Sequence, residues 1–125
     1  MKGLFLGIAA ALICMPPVTY AADSPEFNVK TTADLVKLCS MPVDAMFYQA
    51  GMGYCLGFID AAHDYHAAIT SGDLLKPIAC PGQDVTRRQI VDVFLDWAAK
   101  NPDLLANESP INGVMRAVTA KWPCR

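Results

Sequence analysis

The sequence has few charges and no excess of basic residues. Only 18% of its 125 residues are charged, with 10 Lys and Arg against 12 Asp and Glu. A net charge of -2 provides no basic surface that could neutralise phosphates or anionic lipid headgroups, which excludes electrostatic binding to nucleic acid or to a membrane as the main function. A hydrophobic content of 54% excludes a disordered tail, and the length predicts one small domain.

The sequence also lacks the motifs of common enzyme classes. It contains no phosphate-binding loop, no serine elbow and no metalloprotease H-E-x-x-H pair. It has no C-x-x-C pair of the kind that zinc sites use. We therefore expect no enzymatic activity of these classes, no metal and no cofactor.

No apolar run is long enough for a stable membrane anchor. The uncharged run from Gly3 to Met15 follows Lys2 and is shorter than the roughly 20 residues that a spanning helix needs. A short apolar run after a positive charge, with small Ala21 before the cut, is typical of a signal peptide. We predict that residues 1–21 are removed on export and that residues 22–125 form a single helical domain with no membrane attachment.

Cys14 allows an alternative in which the exported protein is a lipoprotein. A lipid anchor is attached to a cysteine at the end of such a run, and the residue before it should be small. Ile13 stands there instead, so the sequence favours a soluble product.

Four segments show apolar residues every three or four positions, and no segment alternates as a strand would. The fold class predicted is all-α, a small disulfide-bonded bundle of about four helices. The segments are a short helix after the Thr31 cap that ends at Ser40, a long helix over about Asp44–Ser71, a third from a Thr86 capping box to Asn101, and a fourth from Ser109-Pro110 to Pro123.

The long second helix carries two further predictions. Gly72 stands where a left-handed helix cap would end it. A stripe of small residues predicts a close helix crossing, although these residues could instead accommodate bulky side chains of the first helix. The small residues are Gly53, Gly57 and Ala61, and the residues expected to face the core are Phe47, Gly51, Tyr54, Cys55, Phe58, Ala62, Tyr65 and Ile69.

Four cysteines remain after the predicted cut, an even number that predicts two disulfides in an oxidising compartment. Sequence alone permits three pairings. The last two helices should pack antiparallel because a short segment joins them, which favours Cys80 with Cys124 and leaves Cys39 with Cys55.

One cluster on the second helix could carry chemistry: Asp60, His63, Asp64 and His66. The adjacent His63-Asp64 pair resembles the dyad of secreted phospholipases A2, but the resemblance covers few residues, and the glycines of their calcium loop have no counterpart outside the predicted helix. The spacing would also permit a metal site. Partly exposed histidines on a polar helix face are the favoured interpretation.

Several blocks of the sequence resemble the Rap/Tai group of small periplasmic immunity proteins, over roughly residues 31 to 124. The most specific are the Cys-Leu-Gly-aromatic-Ile block and the terminal aromatic-Pro-Cys. The blocks are Leu35-Val36-Lys37-Leu38-Cys39, Tyr54-Cys55-Leu56-Gly57-Phe58-Ile59-Asp60, Cys80-Pro81-Gly82, Val85-Thr86, Gln89-Ile90-Val91, Asn101-Pro102-Asp103, Ala117-Val118 and Trp122-Pro123-Cys124.

This resemblance implies an all-helical, disulfide-bonded and often dimeric protein without catalysis of its own. Proteins of the group bind a peptidoglycan amidase delivered by type VI secretion and block it in the periplasm, which protects the producing cell and its kin. Because the shared residues specify the fold, a partner surface should lie in variable exposed parts. We expect it in the region 69–83, which includes Asp73, and on the polar face of Asp60, His63 and Asp64. The alternative function is a general periplasmic binding or stress protein, a helical chaperone without a cognate toxin.

Overall fold

The computed structural model describes residues 27–125, which form an all-α bundle as predicted. The predicted signal peptide, its cleavage site and Cys14 lie outside the described residues. Apart from one isolated bridge between Ala79 and Pro123, the described part contains no β-structure. Its helices are α1 (Thr32–Cys39), α2 (Tyr48–Thr70), α3 (Arg87–Lys100) and α4 (Pro110–Lys121), with a short 3-10 turn at Pro102–Leu104.

Capping boxes start α1 and α3, as the sequence predicts for α3. The Thr31 hydroxyl accepts from the Asp34 N–H at 3.2 Å, and the Asp34 carboxylate accepts from the Thr31 N–H at 3.0 Å. Thr86 and Gln89 make the same reciprocal pair at the start of α3. These side chains satisfy backbone donors that have no partner within the helix.

Both ends of α2 differ from the prediction. The helix begins at Tyr48 instead of Asp44, because tight turns after Pro42 occupy the preceding residues. At the other end, no glycine among residues 27–125 has a positive φ, so the predicted left-handed cap at Gly72 is wrong. Side-chain hydroxyls satisfy the last carbonyls instead: Thr70 donates to the His66 carbonyl at 2.7 Å and Ser71 to that of Ala68 at 2.8 Å.

The core is formed by one face of each helix around Phe94, which is fully buried on α3. α3 contributes Ile90, Val91, Phe94 and Ala98 to the core, and α4 contributes Gly113, Val114, Ala117 and Val118. Fully buried apolar residues with at most 2% exposure include Leu35, Leu38, Cys55, Ile59, Val91, Val114 and Ala117.

α2 buries part of the face predicted for it: Gly51, Cys55 and Ala62 are buried as expected, and Ile59, which was not predicted, is buried beside them. Tyr54, Tyr65 and Ile69 were expected to be buried but are 38%, 66% and 40% exposed. α2 is apolar around most of its circumference, so helical spacing found the buried side but could not separate Ile59 from the neighbouring apolar positions that stay exposed.

The predicted close crossing at Gly53, Gly57 and Ala61 is also wrong within the chain. A Cβ atom added to Gly53 or Gly57 would meet no atom of another described segment within 4 Å, and all three residues are exposed. The alternative, accommodation of side chains from α1, fails for the same reason. The close approach of two helices occurs at Gly113 of α4, where an added Cβ would collide with the Thr32 side chain of α1.

The disulfides are Cys39–Cys55 and Cys80–Cys124, the pairing that the sequence favours. Cys39–Cys55 joins the end of α1 to α2. Cys80–Cys124 joins the chain before α3 to the chain after α4, and the Cys80 N–H donates to the Trp122 carbonyl at 2.8 Å. This bridge fixes α3 and α4 as an antiparallel pair.

Candidate partner-binding surface

Three of the predicted partner-binding residues lie together on the second half of α2. The His63 Nδ1 and Asp64 Oδ1 atoms are 3.3 Å apart, and both side chains are exposed. Asp60 instead accepts from Arg87 at the start of α3, with a distance of 2.7 Å between Asp60 Oδ2 and Arg87 Nη1. The Asp60 charge is therefore already paired, whereas His63 and Asp64 face solvent.

The fourth predicted residue, Asp73, lies in the connection between α2 and α3. Residues 71–78 of this connection are all exposed, and we name them the α2–α3 loop. Three of its apolar side chains stand in solvent: Leu74 is 96% exposed, Leu75 53% and Ile78 56%. Apolar side chains grouped at an exposed loop are typical of a protein–protein interaction surface.

Three contacts hold the chain at the far end of the α2–α3 loop. The Ile78 N–H donates to the Nε2 atom of His66 on α2 at 3.2 Å. The next residue, Ala79, is buried and bridges to Pro123, and Cys80 carries the disulfide to Cys124. The apolar side chains of the loop are thus exposed but start from an anchored backbone.

A groove adjoins the loop on the face of α3 and α4. It has a volume of about 620 Å³, and its apolar lining comes from Ile78, Trp97, Leu104 and Met115. Asn101, Asn112 and Arg116 add polar groups, and Arg116 is paired with Glu108 at 2.8 Å. Tryptophan, methionine and arginine are enriched where proteins meet.

The sequence did not predict this groove. Trp97 lies between the core positions Phe94 and Ala98 of α3, so the helical pattern gave it no separate role. The one available signal in the sequence was the tryptophan itself, which stands beside the apolar positions of α3. The structure shows that it is partly buried.

The arrangement is suited to binding. Within residues 27–125, no group of three or more His, Cys, Asp or Glu side chains is placed to hold a metal ion. The His63-Asp64 pair consists of neighbouring residues on an exposed helix surface, and His66, one position further along that helix than Tyr65, uses Nε2 to accept the Ile78 N–H. The exposed apolar loop and the groove are features of a protein that binds another protein.

Fold and surface together define a small, disulfide-bonded helical protein with an exposed apolar loop beside an open groove. The chain belongs to the family of Rap1a immunity proteins, whose family model matches residues 31–124. No curated protein and no solved structure matches the chain. None of the helices in the described part is long and apolar enough to cross a membrane.

Proposed function

We propose that this protein is a periplasmic immunity protein that binds a type VI secreted peptidoglycan amidase and inhibits it. Membership of the immunity family supports the class, and the two disulfides are consistent with an exported protein. The observation that carries the proposal is the α2–α3 loop, which exposes Leu74, Leu75 and Ile78 from an anchored backbone. Inhibition is by occlusion, and the protein itself catalyses nothing.

The partner surface combines this loop with its polar neighbours. Leu74 and Leu75 supply apolar contacts, and Asp73 in the same loop supplies a charge. His63 and Asp64 extend the surface along α2, and Asp60 contributes through its ion pair with Arg87. Apolar contacts give affinity, while the charges select the partner and speed the encounter.

We also propose that the protein is a homodimer joined through α2. The outward face of α2 carries Gly53, Tyr54, Gly57, Ala61, Asp64 and Tyr65, and among residues 27–125 nothing beyond the adjacent backbone of α2 lies within 4 Å of a Cβ added at Gly53 or Gly57. Glycine inside a helix costs about 0.5–1 kcal/mol relative to alanine, and close approach of another helix gives it a structural use. A second copy is the occupant that this face fits, since small residues on both helices would meet.

The amidase is tested first by affinity purification. The oxidised protein is used to capture partners from extracts of its own cells, and the captured protein is then purified separately. We expect one peptidoglycan amidase whose hydrolysis of peptidoglycan stops at a one-to-one ratio of inhibitor to enzyme. A captured protein without that inhibition would contradict the proposed function.

The loop is tested by Leu74→Asp. Because Leu74 is 96% exposed, this change should leave the fold intact and weaken the amidase complex roughly tenfold or more, as loss of a central interface residue does. Val43→Asp is the matched control: Val43 is also exposed, at 77%, but precedes α2, at the other end of that helix from the loop. Equal affinities for the two variants, measured by titration calorimetry, would remove the loop from the interface.

The exposed leucines also favour a second candidate, a helical chaperone that binds unfolded clients. A chaperone would bind many unfolded proteins weakly through the same side chains, whereas an immunity protein binds one folded partner tightly. Suppression of aggregation of unrelated unfolded proteins, lost in Leu74→Asp, would favour the chaperone.

A further inference from the structure

We infer that His66 is the residue that positions the α2–α3 loop for its partner, and that it releases the loop when it is protonated. This inference rests on the proposed function for its purpose and on a contact in the structure for its mechanism. The His66 Nε2 atom accepts the Ile78 N–H at 3.2 Å, which ties the last turn but one of α2 to the end of the loop.

Ile78 gives this contact its importance. Its backbone N–H is held by His66, and its side chain forms part of the wall of the Trp97 groove. Between α2 and Ile78 the loop is exposed, and Ala79 is the first buried residue after it. Ala79 and Cys80 anchor the chain after Ile78, and His66 adds the contact that ties Ile78 itself to α2, and with it the apolar end of the loop and one side of the groove.

The chemistry of the imidazole makes the contact dependent on protonation. A neutral histidine has one nitrogen without hydrogen, which can accept, whereas both nitrogens of the protonated ring donate. A protonated His66 would present a donor to the Ile78 N–H, and the hydrogen bond would be lost. Histidine is the side chain whose charge commonly changes between pH 5 and 8, so acidification should free the loop.

The cavity that His66 lines is mostly apolar. The cavity has a volume of about 30 Å³, and its walls from α3 and α4 are apolar: Ile90, Val114, Met115 and Val118. His63 is the other titratable residue of this cavity, and it lies against Asp64. Two neighbouring segments carry further charged residues. Arg87 at the start of α3 is paired with Asp60, and the α2–α3 loop contains Asp73 and Lys76.

The test measures hydrogen exchange of the Ile78 amide by NMR, from pH 5 to pH 8, on the oxidised protein. Rates are corrected for the intrinsic pH dependence of amide exchange. We expect protection at pH 8 that falls roughly 2–10-fold toward pH 5, the range that loss of one net hydrogen bond gives. His66→Ala should lack this protection at every pH.

His66→Gln is the conservative variant, because glutamine can present an acceptor oxygen near the position of Nε2 and does not titrate. It should restore protection of the Ile78 amide and make it independent of pH. His63→Ala, which changes the other histidine of the cavity, should leave the wild-type profile of Ile78 exchange. Protection that is independent of pH in the wild type, or unchanged in His66→Ala, would overturn the inference.

Amidase binding is measured separately on the same variants. We expect His66→Ala to weaken binding roughly 2–10-fold at neutral pH and His66→Gln to bind as the wild type does, since one hydrogen bond is involved. The exchange experiment needs no partner, so it can fail while the amidase still binds. Conversely, a pH-dependent loop in a protein that binds no amidase would contradict only the proposed function.

Discussion

Gly113 shows how one missing side chain allows two helices to meet. Thr32 of α1 is fully buried against it, and the Thr32 hydroxyl donates to the Ser109 carbonyl at 2.9 Å. The Thr32 N–H donates to the Glu108 carbonyl at 2.8 Å. These bonds join the start of α1 to the start of α4, and a side chain at position 113 would occupy the space of the threonine.

We predict that Gly113→Ala destabilises the protein by about 1–3 kcal/mol, the usual cost of inserting a methyl group into a packed site. An added Cβ would lie 2.6 Å from the Thr32 Oγ1 atom, which would displace the hydroxyl from its acceptors. The measurement is the free energy of unfolding in urea.

Gly53→Ala is the control for this prediction, measured in protein dilute enough to be monomeric. Gly53 also lies within a helix, but open space surrounds it, so alanine there should stabilise the monomer by about 0.5–1 kcal/mol. Equal effects of the two substitutions would show that helix propensity decides both.

The two glycines also show what the sequence can predict about single residues. Both lie within apolar helical patterns, and spacing indicated the crossing at Gly53 and Gly57 instead of Gly113. Helical periodicity places a residue on a face of its own helix, but which faces meet depends on the packing of distant segments. The disulfide pairing was easier to predict than the helix crossing, since helix ends and connection lengths limit which cysteines can approach each other.

At the scale of elements, α1 depends on its capping box because it is only eight residues long. The Asp34 carboxylate accepts from the Thr31 hydroxyl at 2.8 Å and from the Thr31 and Lys30 N–H groups. Hydrogen bonds from Thr31 lower the pKa of Asp34 from 3.8 to about 2, with smaller contributions from Lys30 and Lys37. The box therefore favours the ionised carboxylate.

We predict that Asp34 contributes to stability above pH 4 and that this contribution is lost as the pH falls through 3.8 toward about 2. The sign follows from the lowered pKa, because the unfolded chain binds the proton first. Thr31→Ala, which removes the hydroxyl of the box, should cost about 1 kcal/mol at pH 7. In Asp34→Asn, the free energy of unfolding in urea should fall less steeply between pH 6 and pH 2 than in the wild type. We call this part of the pH dependence the acid limb.

Asp96→Asn is the control for the carboxylate. Hydrogen bonding to Lys100 lowers the pKa of Asp96 as well, but both side chains of that pair are exposed. Exposed pairs contribute little to stability, so this variant should keep the wild-type acid limb. If it changed the limb as much as Asp34→Asn, the capping box would not be its cause.

The helices and their connections show which features the sequence could predict and which it could not. All four helices, the capping box of α3 and the exposed region after α2 were predictable because caps, prolines and apolar spacing are local signals. The polar residues of the candidate surface were placed on that region and on α2 for the same reason. The His66–Ile78 hydrogen bond and the Trp97 groove were not predictable, since each joins segments whose relative position only the packed fold defines.

At the scale of the whole molecule, the two proposed surfaces share Asp64 of α2 and otherwise lie on different parts of the bundle. The α2–α3 loop and the Trp97 groove lie beyond the end of α2 and along α3 and α4. The outward face of α2 surrounds Gly57, near the middle of a helix about 35 Å long. A dimer joined at Gly57 would therefore leave the loops of both copies free for partners.

We predict that the protein is a dimer in solution and that Gly57→Leu makes it monomeric. In an antiparallel crossing centred on Gly57, Gly53 would meet Ala61 of the second copy, and Asp64 would meet Ala50, so no like charges would face each other. A leucine at the crossing would separate the backbones and remove the close contact. Sedimentation equilibrium over a range of protein concentrations measures the change.

Ala99→Leu is the matched control, because Ala99 is an exposed residue of α3 and the new leucine would lie outside the proposed interface. It should remain dimeric, with a melting temperature that rises with protein concentration as dissociation linked to unfolding requires. Gly57→Leu should lose that concentration dependence yet keep its helical circular dichroism, because position 57 is exposed and its added Cβ would meet no packed neighbour among residues 27–125. A wild-type monomer at every concentration, or a dimer that tolerates Gly57→Leu, would leave the outward glycines of α2 without the role proposed here.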